Sequence, residues 1–172
     1  MRRSLLATAL VVANSCGGGS PTSPARIDTS PRPVLLISGP YTLALTLSTT
    51  GIATCQNGFC TSTSLCIGNP TANTTSRFDV DLQRSGDEAT VRVPGAGSGL
   101  ALTLRVGSES VSGTISGSAR DGSGSSVEAS GTIIGAAPPN AAFAVAGNID
   151  GQMSVSGGSC SNKGHAWSLT SR

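Results

Sequence analysis

Tyr41-Thr42-Leu43-Ala44-Leu45-Thr46-Leu47 decides the fold class. Tyr41, Leu43, Leu45 and Leu47 fall on one side of an extended chain, and Thr42, Ala44 and Thr46 fall on the other. A period of two is the mark of a strand with one face buried and one face wet. The same beat returns along the chain. Phe78, Val80 and Leu82 alternate with Asp79, Asp81 and Gln83; Ala89, Val91 and Val93 with Thr90 and Arg92. Leu100, Leu102, Leu104 and Val106 alternate with Thr103 and Arg105. Val111 with Ile115, Val127 with Ile133, Phe143 with Val145, Met153 with Val155, and Trp167 with Leu169 complete about nine strands. Turn signals separate them at Arg84-Ser85-Gly86-Asp87, Gly107-Ser108-Glu109 and Asp150-Gly151.

No stretch carries a helical period, so the chain is all-β. Consecutive strands on short links predict an antiparallel meander, and closing it into an up-and-down barrel removes both exposed edges. A β-sandwich is the alternative, although its crossing connections need longer links. Gly113, Gly117, Gly131 and Gly147 stand in register with inward positions, where glycine marks a bend or leaves space. Charged side chains such as Asp79, Asp81, Arg92, Arg105 and Glu128 occupy the other face. This argues for an apolar inside and a solvated outside, the reverse of a membrane-spanning barrel.

Upstream, Arg2 and Arg3 precede the apolar run from Leu5 to Ala13, which Asn14-Ser15-Cys16 follows. A basic head, a short apolar run and small residues form an export signal, too short to span a bilayer. The run resembles a bacterial lipoprotein leader, with Ala13 where that family's leucine stands. The resemblance implies lipid on Cys16 as the first mature residue, with Gly17 after it pointing to the outer membrane. Its rival is an ordinary signal that leaves Cys16 a free thiol. Residues 1–15 are thus expected as signal, 16–38 as a Gly/Ser/Pro tether, and 39–172 as one barrel domain. Removing the leader takes the eleven basic side chains to nine, equal to the nine acidic ones. A neutral mature chain lacks a nucleic-acid footprint.

Four cysteines then stay in an oxidising compartment: Cys55, Cys60, Cys66 and Cys160. Three pairings are open. Asn57-Gly58 favours a local Cys55–Cys60 clip across a turn, which leaves Cys66 to join Cys160. Zinc chemistry would need more imidazole than the lone His165 and a C-x-x-C pair that the chain lacks.

Tether, Gly39-Pro40-Tyr41-Thr42-Leu43, the meander and the closing Gly164-His165-Ala166-Trp167-Ser168-Leu169 resemble lipocalin- or avidin-type (calycin-like) barrels. Tyr41 stands where lipocalins carry tryptophan, and no biotin-site pattern is present. The resemblance implies a cup that holds a small apolar molecule and carries over no ligand residue; the chain's own aromatics Tyr41, Phe143 and Trp167, with the inward glycines, are the candidate contacts of such a barrel.

Enzymatic readings find no support. No G-x-S-x-G occurs, and nothing pairs a nucleophile with His165. Asp121-Gly122-Ser123-Gly124-Ser125 spells a metal-adhesion motif but lies between strands, where it reads as a hairpin turn. Gly95-Ala96-Gly97-Ser98-Gly99 has no following helix and reads as a loop. Asp79 and Asp81 share a flat outer face, unlike the carboxylates of a glycosidase cleft. Two readings follow: a membrane-tethered barrel for a small apolar ligand, needing no cofactor, or a filled barrel acting on protein partners through its exterior, chiefly residues 50–74.

Overall fold

A computed structural model describes residues 33–50, 53–56, 59–62, 64–94, 99–138 and 143–172, with 53–56 and 59–62 described by backbone alone. In chain order the strands are β1 (Gly39–Leu47), β2 (Ala53–Gln56), β3 (Phe59–Ser62), β4 (Leu65–Ile67), β5 (Thr74–Ser85), β6 (Glu88–Val93), β7 (Leu100–Val106), β8 (Ser110–Arg120), β9 (Ser126–Ala136), β10 (Ala144–Val155) and β11 (Gly158–Ser171). Strands β1 and β5 to β11 pair with their neighbours in that order, and β11 returns to pair with β1. The result is a closed, antiparallel, eight-stranded up-and-down barrel. Its seam runs from Tyr41↔Ser171 to Thr46↔Ala166. Beyond the seam, β4 extends the wall by pairing Leu65 to Ile67 with Ser161 to Ser159.

The alternation works as the residues predict. Tyr41, Leu43, Leu45, Leu47, Phe78, Val80, Leu82, Val91, Leu102, Leu104, Ile115, Val127, Ile149, Trp167 and Leu169 all turn inward into one cluster. Asp79, Asp81, Arg92, Arg105 and Glu128 turn outward. Arg92 stands opposite Asp81 across the β5–β6 ladder, and Arg172 reaches Asp79 at 3.1 Å. These exposed pairs contribute little stability.

Two sequence expectations need correction. Asp150-Gly151 is not a turn, because β10 runs straight through it for twelve residues. The ladder shifts there instead: Ile149 pairs with His165, but Gly151 pairs with Asn162. The actual β10–β11 turn is Ser156-Gly157, both with positive φ (50° and 89°), a hairpin geometry that glycine accommodates. The second correction concerns the tether. Its described portion from residue 33 belongs to the domain, since Val34 and Leu36 are buried in the core and the Val34 amide donates to Ser108 O.

The barrel thus has an entry end and a disulfide end. At the entry end lie the arriving segment 33–38, the β5–β6, β7–β8 and β9–β10 connections, and Arg172. At the other end lie the β8–β9 and β10–β11 turns and β4.

Glycines decide how tightly the wall curls. A Cβ on Gly147 would sit 1.8 Å from Ile134 O, and one on Gly113 would sit 2.0 Å from Thr103 O. Only a residue without Cβ lets neighbouring backbones pass this closely.

Candidate functional site

Tyr41 and Trp167 lie inside the barrel at 1% and 2% exposure, as part of the packed core. The Trp167 indole lies against Gly135, where an added Cβ would meet its Cζ2 at 2.9 Å. Its Nε1–H donates to Ile134 O at 3.1 Å. Phe143 does not join them. It stands at the mouth before β10, with φ 53° and 39% exposure, so it lines no interior surface. Alternation predicted otherwise because Phe143 keeps the parity of Val145, but a turn residue does not obey the pleat.

Cys66 and Cys160 form a disulfide with Cα atoms 4.1 Å apart. Register places Cys55 directly opposite Cys60 in the β2–β3 hairpin, while the side chains of both lie outside the described residues. Cys16 also lies outside them.

Next to the disulfide is a buried polar cluster. His165 is fully buried. The Ser48 amide donates to its Nδ1 at 3.1 Å, which leaves the proton on Nε2 to donate to Cys160 O at 3.0 Å. Burial pushes the imidazole below its ordinary value of 6.5, against the opposing pull of the Cys160 and Gly151 backbone. Both ring nitrogens are committed, so His165 acts as a neutral brace and has no free lone pair for proton transfer. Asn162, which sequence parity assigns to the outer face, also points inward. Its Nδ2 donates to Ser48 O (2.8 Å) and Ser64 Oγ (3.2 Å), and its Oδ1 accepts the Gly164 amide (2.6 Å). The irregularity at Lys163-Gly164 turns Asn162 and His165 to the same side, a re-aiming typical of bulges.

The β8–β9 turn closes on itself. Asp121 Oδ1 accepts from the Ser123 amide, the Ser123 hydroxyl and the Ser125 amide. The Ser123 hydroxyl is the main reason this carboxyl lies below its ordinary range. Among the described residues, no three His, Cys, Asp or Glu side chains gather where a metal ion would sit.

A hollow of about 600 Å3 lies on the outer face of β8 to β11, lined by Ser112, Thr132, Ile134, Asn148, Asp150 and Lys163. Ile134 supplies an exposed apolar wall, and Lys163 Nζ meets Asp150 Oδ2 at 3.3 Å. A smaller hollow of about 290 Å3 lies outside β5 and β6, between Asp79, Asp81, Arg92 and Arg172. Individual outward residues are readable from alternation. Their convergence across four strands is not, since it depends on how the glycines bend the wall.

No protein-family model, no characterised protein and no solved structure matches the chain.

Proposed function

We propose that the protein is an exported envelope lipoprotein, held to the outer membrane by lipid on Cys16, whose filled calycin-like barrel binds a protein partner on its outer face. The observation that supports this reading is where the space lies. The interior is occupied by the chain's own side chains, including the two aromatics suited to a ligand, Tyr41 and Trp167. The 600 Å3 hollow is outside, with one aliphatic wall, amide and hydroxyl groups, and an ion pair. Such a mixed patch suits peptide chemistry, in which an apolar contact is ringed by polar groups.

The test uses the mature protein from its own membrane. Native mass spectrometry should give the bare chain plus lipid on Cys16, less four hydrogens for two disulfides. An extra mass released on mild activation would return the reading to a small ligand inside the barrel. Lys163 is the only lysine in the sequence, so an amine-directed cross-linker reports on the hollow. Partner cross-links at Lys163 that disappear with Ile134→Asp would support the outer face, and cross-links that persist would count against it.

A further inference from the structure

The entry end carries an apolar surface that the barrel does not use. In Val34-Leu35-Leu36-Ile37, Val34 and Leu36 are buried while Leu35 and Ile37 are 52% and 56% exposed. A segment apolar on both sides offers its outer side as a contact surface. Here the barrel covers only the inner face. Phe143 stands at the same end, and its carbonyl accepts the Ser171 amide beside the start of β1. Ile37 is tied to this rim through its amide, which donates to the Tyr41 hydroxyl. The segment is held firmly rather than draped, because Arg84 donates to Leu36 O and its own amide donates to Ser38 Oγ. Nearby charges carry no basic excess, with Arg84, Arg92, Arg105 and Arg172 against Asp79, Asp81, Asp87, Glu88 and Glu109.

The chain from Cys16 reaches the domain at this end. Sixteen residues, 17–32, separate Cys16 from the described domain, so covalent geometry keeps the entry end within about 60 Å of the anchor. The entry end is the part of the barrel that this link reaches first, so it is held at the membrane at a high effective concentration. We infer that the entry end lies against the lipid surface, with Leu35, Ile37 and Phe143 dipping into the boundary between headgroups and acyl chains. Without a basic excess, this is an apolar contact with zwitterionic lipid rather than attraction to anionic lipid. The disulfide end then faces away from the anchor, and the hollow opens on the flank of the barrel. The inference rests on the lipoprotein reading of Cys16.

The test separates the two. The mature chain carrying Cys16→Ser and an N-terminal histidine tag is attached to phosphatidylcholine vesicles through a nickel-chelating lipid. Hydrogen exchange is followed by mass spectrometry. Amides of 34–38 and 107–110 should slow by at least about fivefold on attachment, while 121–125 and 156–157 should not change. Leu35→Ser with Ile37→Ser alters exposed side chains only, so it should keep the fold and abolish the slowing. No slowing, equal slowing at both ends, or slowing that survives the double substitution would overturn the inference. So would protection that grows with protein concentration in the absence of vesicles, since a second copy would then be the occupant. An unlipidated Cys16 in the native protein, seen by intact mass, together with protection in the tagged chain, would end the anchor reading and leave the docking face standing.

Discussion

Replacing Cys66 with alanine should lower stability without opening the barrel. The disulfide closes a loop with a sequence separation of 94 residues. In the chain-entropy account, releasing such a loop in the unfolded state costs about 4.7 kcal/mol. The folded state recovers part of this. β4 is three residues long, its side chains are exposed, and three register pairs hold it to β11. Freed of the disulfide, β4 and its flanks can leave the wall and regain backbone entropy, about 1–2 kcal/mol per residue against modest lost contacts. The net loss should therefore fall at about 2–4.7 kcal/mol, a drop in melting temperature of roughly 6–16 °C for a domain of this size. Cys66 is the better position to change. It is exposed, whereas Cys160 is fully buried and a serine there would add an unsatisfied hydroxyl. Thermal melts by circular dichroism measure the drop, and hydrogen exchange measures its extent. The β1–β11 seam should stay protected while 64–67 becomes labile. A melting temperature within about 2 °C of the parent, or loss of protection along the seam, would refute the reasoning.

Gly147→Ala should destabilise by about 3 kcal/mol or more in denaturant titration, since its Cβ meets backbone rather than a movable side chain. Gly122→Ala, with nothing within 4 Å, is the near-neutral control. Trp167→Phe removes the bond to Ile134 O and uncovers Gly135, which should cost about 1–3 kcal/mol by the same titration. His165 predicts a pH dependence. Its folded-state value lies below 6.5, so below that pH the unfolded chain binds more protons. Stability should be level above about pH 6.5 and fall on acidification, by at most about 1.4 kcal/mol per pH unit, until the folded imidazole also protonates. His165→Gln should be less stable at neutral pH and should flatten this slope between pH 6.5 and 5; an unchanged slope would assign it to other groups.

The barrel was legible because its strands obey one rule throughout. Leu100 to Val106 alternates without exception, and so do most of its neighbours, because each strand has one dry face and one wet one. The misses are local events that override the rule. A bulge at Lys163-Gly164 hid Asn162, whose parity reads as outward. The Asp150-Gly151 pair has turn chemistry, but its glycine is there so that β9 can pass: a Cβ would lie 2.1 Å from Ser130 O. Val34 and Leu36 follow a Gly/Ser/Pro-rich stretch that reads as tether, yet the bonds from the Val34 amide to Ser108 O and from Arg84 to Leu36 O make them the lid of the entry end.

The candidate site was less legible for a deeper reason. Inward glycines in the sequence suggested either bends or empty space, and only the second would make a cup. The structure uses them as bends. Beside Gly113, Gly117, Gly131, Gly135, Gly147 and Gly151, neighbouring backbone or the Trp167 indole already stands where a Cβ would be, so these positions are close approaches of the walls. This is how a chain with five aromatic residues can fill an eight-stranded barrel mainly with Leu, Val and Ile. Curling the wall inward at glycine also changes its outer surface. The hollow between Ser112, Ile134, Asn148 and Lys163 lies over the strands that carry Gly113, Gly131, Gly147 and Gly151. On this argument, the residues that fill the inside also shape the concavity outside, and a search for ligand-contacting groups belongs on the outer face of β8 to β11.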